Sequence, residues 1–233
     1  MRPSDYGIYL YGSSARGDSG HDSDTDFLVV LKSGKENQTS IQELQKKHRL
    51  TGTCQDWSQY SLYRLREMYR AGHLFSWHLF KESRFLGYGH DFLADLGRPA
   101  SYGSFHDDVN SLLELLQQVE QELANSSVNL VYEAGLVYLC ARNIAMSASY
   151  FASTDLSFSS FAPFNLGYVE NPFPLDKGLY QELRSARLAA TRGVDAPTLE
   201  SRSVLDAAKK VLSWALIEVQ RVERGSYRET LVC

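Results

Sequence analysis

Residues 9–31, YLYGSSARGDSGHDSDTDFLVVL, form the stretch that decides the fold of the N-terminal part of the chain. An apolar run ends at Gly12, a segment rich in Gly, Ser and Asp follows, and an Asp-x-Asp pair leads into a second apolar run. The pattern predicts a strand over Ile8–Tyr11, a short helix over Ser13–Asp18 and a second strand over Asp26–Leu31, buried on both faces. The stretch is typical of a site that holds a phosphate at one end and a divalent metal at the other.

The acidic half of this stretch is the pair Asp24 and Asp26. Alternate residues of a strand point to the same side, so both carboxylates are expected to face one site. Two like charges repel at close range, but together they suit Mg²⁺, which prefers oxygen ligands and commonly binds through one or two carboxylates and substrate phosphates. The pair therefore predicts a magnesium site, and its alternative is a solvated turn with strand-capping aspartates.

The other half of the stretch is the turn at Gly12 and Ser13. Glycine lets a phosphate approach the backbone, and the N–H groups that open a helix and the serine hydroxyl can donate to phosphate oxygens. Arg16, one turn later, either neutralises phosphate charge or forms a structural ion pair. No Gly-Lys-Ser/Thr follows the turn, which argues against a P-loop ATPase.

Together, Gly12-Ser13, Ala15-Arg16-Gly17 and Ser23-Asp24-Thr25-Asp26 resemble the signature of the DNA polymerase β-like nucleotidyltransferase superfamily, in its minimal nucleotidyltransferase type. The resemblance covers about the first third of the chain. It implies Mg²⁺-dependent transfer of a nucleoside monophosphate from an NTP to an acceptor, with release of pyrophosphate. It also implies that Asp24 and Asp26 bind metal and that Gly12 and Ser13 contact the triphosphate.

The resemblance also implies a third carboxylate, which completes a metal site and activates the acceptor hydroxyl. Asp56, within a predicted third strand Cys54–Ser61, is the candidate for this role. That strand is polar, and Trp57 is an unusual neighbour for such a carboxylate. If Asp56 lies outside the site, we expect a protein that binds nucleotide without transferring it well.

The rest of the chain predicts an α+β protein with two domains. The expected organisation is a mixed-sheet nucleotidyltransferase domain over residues 1–88, a glycine-punctuated linker over 89–104 and an antiparallel helical bundle over 105–233. Further elements expected in the first domain are helices over 39–49, 62–69 and 74–80 and an edge strand over 84–86. Bundle helices are expected over 106–124, 130–150, 179–190 and 199–222, the second of them central.

Composition narrows the class of protein further. The chain has 233 residues, 43% of them hydrophobic, and a formal net charge of −4, so we expect a well-buried core and no nucleic-acid partner. The three cysteines are isolated, which excludes a Cys-x-x-Cys zinc cluster and favours a reducing, cytoplasmic compartment. The apolar segment 128–146 is interrupted by Glu133 and Arg142, so no membrane span is expected.

The sequence thus predicts a nucleotidyltransferase whose cofactors are Mg²⁺ and an NTP, with ATP the expected donor. The acceptor is left open between a small hydroxyl compound such as an aminoglycoside and a protein side chain. A protein partner of the toxin–antitoxin type, or a second copy of the chain, fits the same features. The alternative is a non-catalytic NTP-binding or regulatory protein on the same fold.

Overall fold

The computed structural model describes residues 5–17, 25–32, 41–50, 57–124, 129–152, 156–167 and 170–230. The chain divides into two compact units, Met1–Ser104 and Phe105–Cys233. The first unit contains a mixed sheet and the second is helical, so the α+β fold class is confirmed. No helix among the described residues is long and apolar enough to cross a membrane.

The N-terminal unit is built on a four-stranded sheet with the order β3-β2-β1-β4. The strands are β1 (Tyr6–Tyr11), β2 (Asp26–Leu31), β3 (Trp57–Ser61) and β4 (Arg84–Gly89). β1 is antiparallel to both β2 and β4, whereas β2 and β3 are parallel. A parallel pair needs a crossover connection, and helix α2 (Ile41–His48) lies within this one. The predicted edge strand at Arg84 is confirmed, and it extends to Gly89.

Both faces of the sheet are covered, as the apolar run of β2 predicts. Phe27, Val29 and Leu31 pack with Leu44 of α2, and we call this side the α2 face. Leu28 and Val30 pack on the other side with residues of the helices that follow β3, and we call it the α3 face. Residues 27–31 are each at most 8% exposed, which confirms burial on both sides of β2.

Three helices of the N-terminal unit follow β3 in sequence: α3 (Leu62–Arg70), α4 (Leu74–Glu82) and α5 (Phe92–Leu96). The Ser61 side chain caps α3 by accepting from the Arg64 N–H. Helix α5 lies in the segment expected to be a linker, and its Phe92 and Leu93 belong to the core of the α3 face. Asp91 caps its start and Gly97, at φ +68°, follows its end, so these polar and glycine residues bound a short helix.

The C-terminal unit is a helical bundle. Its elements are α6 (Phe105–Leu123), α7 (Leu130–Ser149), a short 3-10 helix (Ala162–Asn165), α8 (Lys177–Arg192) and α9 (Ser201–Thr230). Helix α7 packs against α6, α8 and α9, which confirms its predicted central position. Gly135 in α7 allows close approach, because a Cβ there would lie 2.9 Å from the Arg187 Cα of α8.

Candidate active site

The end of β1 and the start of β2 meet at one edge of the sheet. Tyr11 is the register partner of Asp26, so the chain leaves β1 directly beside the first residue of β2. Asp26 is half-buried, and strand alternation places it on the α3 face with Leu28 and Val30. The carboxylate therefore lies where the covered α3 face meets solvent.

Gly12 brings the backbone against this carboxylate. Its φ is +70°, in the left-handed region that favours glycine. A Cβ at Gly12 would lie only 2.6 Å from Asp26 Oδ2, closer than a side chain can approach. Glycine is thus required twice, by its conformation and by the space that it leaves beside Asp26 Oδ2.

The short helix α1 (Gly12–Arg16) follows at once and carries Ser13, which is half-buried. It ends at Gly17, whose φ is +79° and whose N–H donates to the Ser13 carbonyl at 3.0 Å. Glycines at both ends let the chain turn out of β1, form one turn of helix and leave again. The predicted small-residue turn is confirmed, and the short helix predicted over Ser13–Asp18 is present but ends at Arg16.

Arg16 is held by a buried acid from a distant part of the chain. Its guanidinium NH1 donates to Glu82 Oε2 of α4 at 2.5 Å, and His78 Nε2 lies 3.0 Å from the same oxygen. The Glu82 side chain is only 5% exposed, against 22% for Arg16. Burial raises the pKa of Glu82, but the bonds and charges of His78 and Arg16 outweigh it, so the net pKa lies below its ordinary value of 4.5.

The structure contains the ion pair, which is one of the two predicted roles of Arg16, and the phosphate contact stays a prediction. It also brings in Glu82 and His78, which sequence reasoning did not place near the turn. The His78 ring also packs edge-on against those of Tyr11 and Phe75. No local signal identifies Glu82, because it lies 66 residues from Arg16 in the sequence.

Next to Asp26, strands β1 and β3 are joined by a hydrogen bond between their side chains. The Tyr11 hydroxyl lies 3.1 Å from Ser58 Oγ of β3, on the α3 face. Burial raises the pKa of Tyr11, the Ser58 bond opposes that shift, and the negative charge of Asp26 adds to it. Tyr11 therefore stays protonated and ties β1 to β3 across the strand that carries Asp26. Neither Tyr11 nor Ser58 was predicted to belong to the site.

Trp57, which looked unusual beside a metal ligand, lies on the opposite side of the sheet. Its ring stacks on Phe27 at 4.5 Å between centroids with 17° between planes, and it is 6% exposed. Both residues belong to the core of the α2 face. The tryptophan is thus part of the packing beneath the sheet and does not occupy the face of Asp26.

The structure brings Gly12, Ser13 and Asp26 together at this edge, with Arg16 one helical turn away. Asp24 and Asp56 lie outside the described residues, which omit 18–24 and 51–56. Within the described ranges, no group of three or more His, Cys, Asp or Glu side chains forms a metal site. The predicted set of three carboxylates is therefore represented in the structure by Asp26.

A comparison with protein families identifies the class of this domain. Residues 1–70 match the family model described as the nucleotidyltransferase domain. No curated protein matches the chain. The match spans β1, the Gly12 turn, β2, β3 and α3, so the N-terminal region is a nucleotidyltransferase domain and the resemblance of its motif is confirmed.

Proposed function

We propose that the protein is a Mg²⁺-dependent enzyme that transfers a nucleoside monophosphate, with ATP as the donor, to an acceptor hydroxyl. The observation that carries the proposal is the contact between the Gly12 backbone and the Asp26 carboxylate at the β1–β2 edge. The turn proposed to bind phosphate and the acid proposed to bind metal lie side by side there, inside a segment that matches the nucleotidyltransferase domain. Both groups are needed for chemistry on a nucleoside triphosphate.

In this proposal Asp24, Asp26 and Asp56 are the metal ligands, and Gly12 and Ser13 hold the β- and γ-phosphates. Bound Mg²⁺ supplies positive charge at the phosphates and favours ionisation of the acceptor hydroxyl. The acceptor oxygen forms a bond to the α-phosphorus, the bond from that phosphorus to the bridging oxygen breaks, and pyrophosphate leaves. The acceptor proton passes to Asp56, acting as general base.

The surroundings of Asp26 fit a hard cation. The missing Cβ at Gly12 leaves room beside Asp26 Oδ2, and carboxylate oxygens are the ligands that Mg²⁺ prefers. The assignment of Asp56 is supported by Ser58, which lies two residues later on the α3 face and contacts Tyr11. With Trp57 directed to the other face, the proposed site keeps its polar residues on one side.

Arg16 enters the proposal mainly as a support. Its ion pair with Glu82 fixes the end of α1 against α4, so the Gly12-Ser13 turn keeps its geometry before the nucleotide arrives. Such preorganisation removes an ordering cost at the moment of binding. A direct phosphate contact by Arg16 would have to share the guanidinium with Glu82.

The acceptor is proposed to be a small hydroxyl compound such as an aminoglycoside or a hydroxyl side chain of a protein. We also propose that the protein is cytoplasmic and that it binds a protein partner, either of the toxin–antitoxin type or a second copy of the chain. A lysate incubated with α-labelled ATP separates the two acceptors. A labelled protein band identifies a protein acceptor, and labelled small molecules in an aminoglycoside panel identify the other.

The test of the activity is the Asp26→Asn variant, with Asp195→Asn as a matched control in an exposed loop of the helical unit. We expect transfer from α-labelled ATP to fall by at least about a hundredfold in Asp26→Asn. Replacing a residue that only supports a metal ligand costs up to about a hundredfold, so replacing a ligand should cost at least as much. Asp195→Asn should keep its activity. Equal transfer by wild type and Asp26→Asn would rule out the proposed site.

Calorimetry with a non-hydrolysable ATP analogue and Mg²⁺ tests the non-catalytic alternative on the same samples. Binding by the wild type with no pyrophosphate release for any acceptor would favour an NTP-binding regulatory protein. Weaker Mg²⁺-dependent binding by Asp26→Asn, together with lost transfer, is the result expected for the enzyme.

A further inference from the structure

An open groove of about 320 Å³ lies on the surface of the helical unit, between α9 and residues 171–174, which precede α8. Its volume is at the lower end of the range of ligand pockets, roughly 300–1,000 Å³. All of its walls belong to the helical unit, so it is separate from the proposed nucleotide site. The argument uses six of the residues that line it: Pro172, Pro174, Lys209, Lys210, Trp214 and Ile217.

The segment that faces α9 across the groove is fixed to that helix by two contacts. The Asn171 amide donates to Glu218 Oε1 at 2.7 Å, and the Phe173 ring meets the Trp214 ring edge-on at 5.1 Å between centroids. Proline restricts φ, so the two prolines beside Phe173 stiffen the segment further. The groove is therefore formed before a ligand binds, and a partner does not have to order its walls.

The groove presents apolar surface to solvent. Ile217 is 50% exposed on α9, and Pro172 and Pro174 are exposed on the facing segment. Trp214 lines the same groove and is 2% exposed, so the apolar wall continues into the packed interior of the unit. Exposed apolar surface of this kind marks contact with an apolar group. Burying a large apolar side chain against it would stabilise a complex by up to about 3 kcal/mol.

The two charged side chains that line the groove are both lysines. Lys210 pairs with Asp206 at 2.7 Å, one turn earlier in α9, and both of these side chains are more than half exposed. Lys209 is exposed and forms no ion pair with a residue in the described part of the chain. A free ammonium group beside apolar surface is complementary to a carboxylate that lies next to an apolar side chain.

The shape and charge of the groove discriminate between possible occupants. A symmetric dimer formed through this face would place the same patch on both copies and bring their lysines together, which disfavours a second copy. A small organic acid would stay largely exposed in an open groove, held by an ion pair worth at most about 1 kcal/mol. A segment of another protein can insert an apolar side chain and place several carboxylates near Lys209 at the same time.

We propose that this groove docks an acidic segment of a partner protein. A large apolar side chain of that segment packs between Pro174 and Ile217, and neighbouring carboxylates pair with Lys209. The proposal does not depend on nucleotidyl transfer, so it holds or fails without reference to the activity proposed above.

The test uses the full-length protein and three fluorescent peptides. The first has the sequence Asp-Asp-Leu-Phe-Asp-Asp, the second has lysines in place of its aspartates, and the third has two serines in place of Leu-Phe. Fluorescence anisotropy at about 0.05 M salt should show saturable binding of the first peptide, no binding of the second, and at least about tenfold weaker binding of the third. No saturable binding of the first peptide, or equal or tighter binding of either of the others, would overturn the proposal.

Two neighbouring substitutions on α9 locate the bound peptide. Ile217→Ser removes apolar surface from the groove and should weaken binding of the acidic Leu-Phe peptide at least about fivefold. Leu216→Ser is the matched control, because Leu216 is 44% exposed beside Ile217 but does not line the groove, and it should bind like wild type. Since both residues are exposed, neither variant should unfold the bundle. Equal affinities of the two variants would mean that the peptide binds elsewhere, and the proposal would be wrong.

A second pair of variants tests the charge. Lys209→Gln should weaken binding of the same peptide about twofold to fivefold, the value of one exposed ion pair, and should reduce its loss at high salt. Lys46→Gln, at an exposed lysine of α2, makes the same change in net charge and should bind like wild type. An equal loss in the two variants would show attraction to the overall charge of the protein and would contradict docking at Lys209.

Sedimentation of the free protein tests the competing occupant. We expect wild type and Ile217→Ser to have the same molecular mass, because the groove is open until a different protein binds. A larger mass for wild type that Ile217→Ser reduces to that of one chain would show that a second copy covers the groove, and the proposal would then be wrong.

Discussion

The two units of the chain each bury a glutamate, and they use it differently. In the N-terminal unit, Glu82 is 5% exposed and binds Arg16, a residue of a different element 66 positions away. In the helical unit, Glu218 is fully buried and binds Arg221, one turn later in the same helix, and Asn171. The first pair fixes the geometry of a turn at the sheet edge, whereas the second satisfies a charge within a packed bundle.

The contrast extends to the other polar groups of the two units. At the sheet edge, groups from three strands and two helices converge, as in the Gly12–Asp26 and Tyr11–Ser58 contacts. In the helical unit, side chains such as Asn129 and Asp176 cap the helices that they precede. The sheet edge thus gathers polar groups around Asp26, whereas these caps serve the helix that they begin.

The largest expected effect comes from removing each glutamate in turn. Glu82→Ala and Glu218→Ala should each lower the free energy of unfolding by about 3 kcal/mol, because each breaks an ion pair made by a buried carboxylate. Only Glu82→Ala should also reduce nucleotidyl transfer, measured at a temperature where both variants are folded. Equal loss of transfer in the two variants would remove the distinction between the two pairs.

The next prediction compares the stability cost of an alanine substitution at two glycines of similar backbone conformation. Gly12 and Gly193 have φ values of +70° and +67°, but a Cβ at Gly193 meets no atom within 4 Å. Gly193→Ala should cost about 1 kcal/mol in urea unfolding, from strain alone. Gly12→Ala should cost about 2 kcal/mol or more and weaken binding of an ATP analogue, because the new Cβ meets Asp26 Oδ2. Similar costs with unchanged binding would contradict a tight Gly12–Asp26 contact.

A smaller effect is expected in the pH dependence of stability. The folded-state pKa of Glu82 lies below its ordinary value of 4.5, so the folded state binds a proton there less readily than the unfolded state does. The stability from this group is fully present above pH 4.5 and is lost as the pH falls through the folded pKa. Urea unfolding between pH 7 and pH 3, in steps of about half a unit, should show a shallower acid loss in Glu82→Gln than in wild type. Identical slopes would mean that Glu82 is not held ionised by Arg16 and His78.

The smallest effect is expected at the bond between β1 and β3. Tyr11→Phe removes the hydroxyl that contacts Ser58 and should lower the free energy of unfolding by about 1 kcal/mol, the net value of one hydrogen bond. Tyr132→Phe, at a tyrosine that is 47% exposed in the helical unit, is the control and should have no measurable effect. A gain in stability on Tyr11→Phe would show that the contact does not contribute to folding.

The local elements could be predicted because their signals are local. The apolar run 27–31 predicts a strand buried on both faces, and Gly12 predicts the turn that ends β1. The helical spacing of apolar residues predicts the bundle and the central position of α7. The exception is α5, because the glycines around it resemble a linker unless its buried Phe92 and Leu93 are known.

The sequence by itself therefore predicted the class of the N-terminal domain, its elements other than α5, and the residues Gly12, Ser13 and Asp26 at one edge. Only the tertiary structure decided that Arg16 is bound by Glu82, that Ser58 contacts Tyr11 and that Trp57 packs on the other face. The physical reason is that strand and helix periodicity depends on neighbouring residues in the chain. Pairing between distant side chains depends on how the sheet and helices pack, and no periodicity encodes it.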